Sequence, residues 1–197
     1  MKFASFALAA TVALAPTVAA QSSSSNSVPQ QQNTRPSQQA APNPFAGVPA
    51  AKPADVDSLD HILVSLYDVI SGPAGPRDWD RFRSLFLPTA RLTSCTKAPD
   101  GSVLVHPNSV DDYVTRGGPY FLKNGFFEHS VVNKVFTFGN VAQVLSSYES
   151  RHNATEPPFA RGINGIQLVN DGKRWWIVSI FWDEERPDNP LPEDFTK

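Results

Sequence analysis

Between Val56 and Ile70 the apolar positions fall three and four residues apart: Val56, Leu59, Ile62, Leu63, Leu66, Val69 and Ile70. That spacing predicts an amphipathic helix, with Asp55 or Asp57 available as its cap and Gly72-Pro73 as its stop. A second helix opens at Asp78 and turns Trp79, Phe82, Leu85 and Phe86 to one side, with Arg81 and Arg83 facing solvent. Pro88 ends it, and a strand begins at Ala90 to Thr93. Ser94 to Pro107 is polar and turn-rich, with Pro99-Asp100-Gly101 between two short extended pieces. Ser109 and Asp112 form a capping-box pattern ahead of a third helix, which Gly117-Gly118-Pro119 is expected to break.

From Phe126 onward the period changes to two. Phe127 to Phe138 and Val141 to Arg151 read as two long strands joined at Gly139-Asn140, which suits a type II′ turn. Pairing Phe138 with Val141 and counting back sets Glu128 opposite Arg151, as a cross-strand ion pair, and Val131 opposite Tyr148. A last hairpin runs from Arg161 to Glu185 and turns at Asn170-Asp171-Gly172, which suits a three-residue loop. Leu168 then pairs with Arg174 and Ile166 with Trp176. One face reads Asn164, Ile166, Leu168, Trp176, Val178, Ile180, Trp182 and Glu184. The other carries Arg161, Gln167 and Asp183. A one-residue error in a loop would undo such sorting. Helices first and long antiparallel strands afterwards predict an α+β fold. The N-terminal helices cover one face of a curved antiparallel sheet, closing a cone with a pocket at its wide end.

The termini and composition narrow the class. Lys2, an apolar stretch over Phe3 to Ala15 and the small residues Val18-Ala19-Ala20 read as a secretory signal peptide, too short to span a bilayer. Residues 21–54 are Ser/Gln/Pro/Ala-rich and read as a disordered linker. Residues 55–197 supply one domain. The expected product is exported, periplasmic or secreted, without stable membrane insertion after the leader is removed. The net charge is −2, becoming −3 once Lys2 leaves, too weak and mixed for nucleic acid. Cys95 is the only cysteine, which excludes an internal disulfide. Neither zinc-ligand spacing nor a phosphate-binding glycine loop occurs, so no metal or cofactor is expected.

The stretches "DWDRFRSLFLPTARL" (Asp78 to Leu92), "FGNVAQVLSSYESR" (Phe138 to Arg151), "RGINGIQLV" and "RWWIVSIFWDEE" (Arg174 to Glu185) resemble the nuclear transport factor 2-like superfamily, in its SnoaL-like or uncharacterised secreted bacterial branch. The resemblance covers about Val56 to Pro192. It implies the cone-shaped α+β roll, often dimeric through the outer sheet face. Similar proteins include isomerases, dehydratases and cyclases beside non-enzymatic binding domains. The Tyr and protonated Asp pair that forms the oxyanion hole of ketosteroid isomerase has no counterpart here by motif.

Several residues compete for roles. Asp80 reads as a general base or as part of an acidic first turn capped by Asp78. His129 and Tyr148 share one sheet face on the counted register and so read either as a proton-moving pair or as wall residues. Glu184 is the acidic member of the apolar face. Arg161 and Asn164 are candidate ligand contacts, the former otherwise paired with Glu149 or Asp183. Trp79 and Trp182 are core or pocket wall. Three functions follow: a binder of a small, largely apolar molecule; an acid–base enzyme using His129, Tyr148 and Asp80 or Glu184; and a homodimeric interaction module.

Overall fold

A computed structural model describes residues 43–197, so the leader and most of the linker lie outside the described residues. Two apolar side chains in the last residues of the expected linker find partners. The Phe45 ring stacks on Trp176 at 4.7 Å, and Ala51 packs against the core.

The first predicted helix is two pieces, α1 (Pro53–Val56) and α2 (Leu59–Ile70). The chain breaks at Ser58, whose extended backbone lets its hydroxyl accept from the His61 amide and cap α2. Asp55, expected as a cap, is instead buried and holds the Arg81 guanidinium, with Oδ2 at 2.8 Å and Oδ1 at 2.9 Å. Asp78 caps α3 (Trp79–Ser84) as read. Phe86 belongs to the next element, since β1 runs Phe86–Lys97 straight through Pro88. After β2 (Val103–Asn108) the Ser109–Asp112 capping box opens α4 (Val110–Lys123).

Gly117-Gly118-Pro119 does not break α4. Proline forgoes one helical bond, and burial of Phe121 two residues later draws the helix on. Gly118 lies under the Trp79 indole, where an added Cβ would sit 3.9 Å from the ring nitrogen, an ordinary contact distance. Trp79 itself meets Phe82 edge-on and Phe121 at a tilt.

Four long strands follow: β3 (Phe127–Phe138), β4 (Val141–Arg151), β5 (Ala160–Asn170) and β6 (Trp175–Glu184). The sheet is six-stranded and curved, in the order β2-β1-β6-β5-β4-β3, with only β1–β6 parallel. The α+β class is as expected. One sheet face (Val144, Ile166, Ile177, Ile180, Leu92) meets Ile62, Leu66 and Ile70 of α2 and Phe82 of α3 in a single core. A 3-10 turn at Glu193–Phe195 packs on β3, with the Lys134 ammonium 4.1 Å from the Phe195 ring centroid.

Two irregularities correct the counted registers. The Gly139-Asn140 turn is as read: Gly139 has φ +54° and Phe138 pairs with Val141. Farther along, Val131 is bulged out between Ser130↔Tyr148 and Val132↔Ser147. The Val132 amide donates to the Ser147 hydroxyl at 3.1 Å. Beyond the bulge every partner is displaced by one, so Phe127 faces Arg151 and Glu128 faces Ser150. The expected Glu128–Arg151 ion pair is absent, and Arg151 pairs with Glu149 instead.

In the last hairpin Asn170 pairs with Trp175, leaving four loop residues rather than three. Asp171 organises them by accepting from the Lys173 and Arg174 amides, at 2.8 and 2.9 Å, and from the Trp176 indole at 2.9 Å. A second bulge lies between Leu168↔Ile177 and Gln167↔Ser179. Ile177 therefore joins the core face, while Trp176 and Val178 leave the face on which the simple count had set them. Asn164, Ile166, Ile180, Trp182 and Glu184 keep the shared face expected of them.

Candidate functional site

The mouth of the cone lies at the β3–β4 and β5–β6 ends away from the hairpin turns. A cavity of about 220 Å3 opens there, walled by Leu66, Ile70, Phe82, Leu92, Phe126, Phe159, Ile180 and Trp182. Its polar lining is sparse: Tyr67, Tyr113, Glu128, Tyr148, Ser150, Asn164 and Glu184.

Glu128 is the central group, and three features set it in place. The Val131 bulge turns it to the cavity side. The end of α2 then fixes its backbone: the Glu128 amide donates to Ser71 Oγ at 2.9 Å, while Gly72 and Phe126 exchange backbone bonds of 2.7 and 2.9 Å. Arg77 holds that turn by donating to the carbonyls of Ile70, Gly72, Pro73 and Gly75. Finally, the Ser150 hydroxyl donates to Glu128 Oε2 at 2.6 Å. Burial in the apolar cone pushes the carboxyl pKa up to about 7; the Ser150 bond opposes this and the Glu184 charge adds to it.

The tyrosines come from three elements. Tyr67, on α2, shares a 2.6 Å hydrogen bond with Ser146 Oγ and accepts from Asn164 Nδ2 at 3.1 Å. Burial pushes its phenol up to about 12, against the pull of both partners. Tyr113, on α4, stacks on Phe82 with centroids 5.3 Å apart. Tyr148, on β4, is 4 % exposed, and its hydroxyl has no hydrogen-bond partner among the described residues. Burial raises both phenols, and Glu128 adds to each shift. Gly162 leaves the room Tyr148 needs: a Cβ there would stand 2.6 Å from its hydroxyl and 2.3 Å from the Asp183 carbonyl.

The candidate residues divide. Tyr148, Glu184, Asn164 and Trp182 line the cavity. His129, Asp80, Arg161 and Trp79 do not. His129 pairs with Glu149 on the outer sheet face, its side chain 56 % exposed, because the bulge exchanged its orientation with that of Glu128. Asp80 is solvated, with its side chain 81 % exposed and Arg83 at 3.3 Å. Arg161 pairs with Glu185 at 2.7 Å, rather than with Glu149 or Asp183. Trp79 is wedged between α3 and α4. A His129–Tyr148–Asp80 set therefore has no common site. Sequence reasoning missed Glu128, Ser150, Tyr67 and Tyr113. For Tyr67 a signal existed, since it follows Leu66 on the helix's buried side. For Glu128 the strand offered none, as no glycine or proline marks the bulge.

Among the described residues no group of three or more His, Cys, Asp or Glu could hold a metal ion, and no helix is long and apolar enough to cross a membrane.

No protein-family model matches the chain, and no curated protein does. Solved structures do. A protein of unknown function with a cystatin-like fold from Nostoc punctiforme is 13 % identical, with TM-score 0.48, covering 68 % of this chain and 97 % of that one. An NTF-2 like protein of unknown function from Silicibacter pomeroyi is 15 % identical, with TM-score 0.43 and coverages of 66 % and 94 %. An uncharacterised protein with a cystatin-like fold from Caulobacter vibrioides is 12 % identical, with TM-score 0.48 and coverages of 67 % and 90 %.

Proposed function

We propose that this chain binds a small, largely apolar molecule in the cone. The observation that carries the reading is a cavity of about 220 Å3 that the core side chains leave open, walled by aromatic and aliphatic groups with few polar ones. Native mass spectrometry of protein purified without detergent or denaturant tests it directly. A retained small-molecule mass is expected, and it should vanish in Ala160→Trp, whose indole would occupy the cavity. A ligand mass that persists in that variant would place binding elsewhere and end the reading.

A second reading, an acid–base enzyme of the isomerase, dehydratase or cyclase type, is favoured by one observation. Glu128 titrates near neutrality inside an apolar cavity that it shares with the Tyr148 hydroxyl. A base with that pKa can take a proton at neutral pH, and a phenol can donate to the oxygen on which charge develops. Deuterium exchange into carbon acids that bind the cavity tests it: Glu128→Gln should abolish exchange, and exchange at the wild-type rate would refute it.

The proposal extends to export and self-association. Lys2 and the small residues before Gln21 support export, and the exported chain is then expected to begin at Gln21. Phe136, Phe138 and Phe181 are exposed on the outer sheet face, which supports a homodimer through that face; analytical ultracentrifugation of Phe138→Glu against wild type tests it.

A further inference from the structure

The charges around the cavity are all of one sign. Glu128 and Glu184 line it, and no Lys, Arg or His does. Nor does either carboxylate have a cationic partner within ion-pair distance among the described residues. Neighbouring arginines are committed elsewhere: Arg151 to Glu149, Arg161 to Glu185, and Arg186 to Asp183 and Asp188. An unpaired carboxyl held in an apolar site, as Glu128 is, is costly and ordinarily paired, while Glu184 stands exposed at the opening. Around them stand aromatic faces from four elements: Tyr67, Tyr113, Tyr148 and Trp182 on α2, α4, β4 and β6, with Phe126 and Phe159 nearer the mouth. Tyr148 also lines the cavity with its phenol.

Aromatic walls with uncompensated carboxylates and no competing cation form the environment that a positively charged organic group prefers. The ring faces attract it by their quadrupoles and the carboxylates by charge. We propose that the cone's ligand is an organic cation, an apolar body bearing an ammonium group that lies among the tyrosine and tryptophan faces against Glu128, with Glu184 at the rim. This rests on the binding reading above and narrows its ligand class. A cation there would offset the burial cost of Glu128 and the repulsion between the two carboxylates.

The pH dependence follows from the groups that face Glu128. These are Ser150 and Tyr148 from β4, Tyr67 from α2, Tyr113 from α4 and Glu184 from β6. The three phenols stay neutral through the physiological range, so Glu128 is the group whose charge changes near neutrality. Cation affinity should therefore rise as pH increases through about 7.

The test compares phenyltrimethylammonium, whose charge does not titrate, with its neutral isostere tert-butylbenzene, by calorimetry or tryptophan fluorescence. At pH 8 the cation should bind at least about tenfold more tightly, the Glu128 charge adding to the attraction of the aromatic faces. The preference should shrink at pH 5.5 and in Glu128→Gln to what the aromatic faces supply, while Glu184→Gln reduces it in part. Equal or tighter binding of tert-butylbenzene at pH 8 would overturn the cation assignment and leave the binding reading standing. Failure of both probes to bind wild type would overturn the two together. A cation preference unchanged in both Gln variants would also overturn the assignment, because the carboxylates would then play no part.

Discussion

Replacing Glu128 with glutamine should stabilise the protein in neutral solution and do little in acid. In the folded chain the carboxyl pKa is raised from 4.5 to about 7, chiefly by burial. Below 4.5 the folded and unfolded forms both hold the proton, and the group contributes no pH-dependent cost. As pH rises from 4.5 to about 7 the unfolded chain releases its proton while the folded chain retains it, so stability falls. Above that window both forms are ionised, and the folded one carries the full cost of a desolvated charge, about 3 kcal/mol for a displacement of this size. Glutamine keeps an oxygen to accept from Ser150 and carries no charge. The stability difference between Glu128→Gln and wild type should thus grow by about 3 kcal/mol across the window, or roughly 6–12 °C in Tm for a chain of this length. Paired urea titrations at pH values spanning the window measure it, because contributions from groups not coupled to Glu128 cancel in the difference. A difference that stays constant with pH would refute the reasoning, since it would mean the folded carboxyl is as well solvated as the unfolded one.

Four further outcomes test the scaffold. Tyr67→Phe removes the hydroxyl that joins Ser146 and Asn164, leaving two buried polar groups short of a partner, and should cost about 1–3 kcal/mol in urea unfolding. Gly162→Ala places a methyl group 2.3 Å from the Asp183 carbonyl and 2.6 Å from the Tyr148 hydroxyl; about 1–3 kcal/mol should be lost, with ligand affinity falling as Tyr148 shifts. Arg81→Met strips buried Asp55 of its guanidinium and should cost about 3–5 kcal/mol. Arg83→Met, which loses only pairs to the exposed Asp80 and Asp111, should cost under about 0.5 kcal/mol.

Local chemistry was legible where one residue type has one use. The Ser109–Asp112 box, the Asp78 cap and the Gly139-Asn140 turn each fall where the sequence predicts. Periodicity likewise grouped Asn164 with Ile180, Trp182 and Glu184. Tertiary packing decided what was not legible. Burial of Phe121 carried α4 through two glycines and a proline, and Asp171 enlarged a turn by one residue with its own side chain. The bulge mattered most, because Val131 bears no conformational signature. A count that treated β3 as regular was right from Phe138 back to Val132 and wrong at every position beyond, where Glu128 and His129 stand.

That irregularity makes the cavity's chemistry sensitive to insertions and deletions in a way that substitutions alone would not reveal. Removing Val131 would leave a regular ladder with Ser130 still opposite Tyr148, and Glu128 would go on facing inward. Removing Ser130 with Val131 kept as the bulge would instead draw His129 opposite Tyr148, turning an imidazole toward the cone and the carboxylate toward solvent. Which of these neighbours enters is governed by Ser71 and Gly72, which bond Glu128 and Phe126 from a distant part of the chain. The acid in this site is thus specified as much by the last turn of a helix as by the strand that carries it.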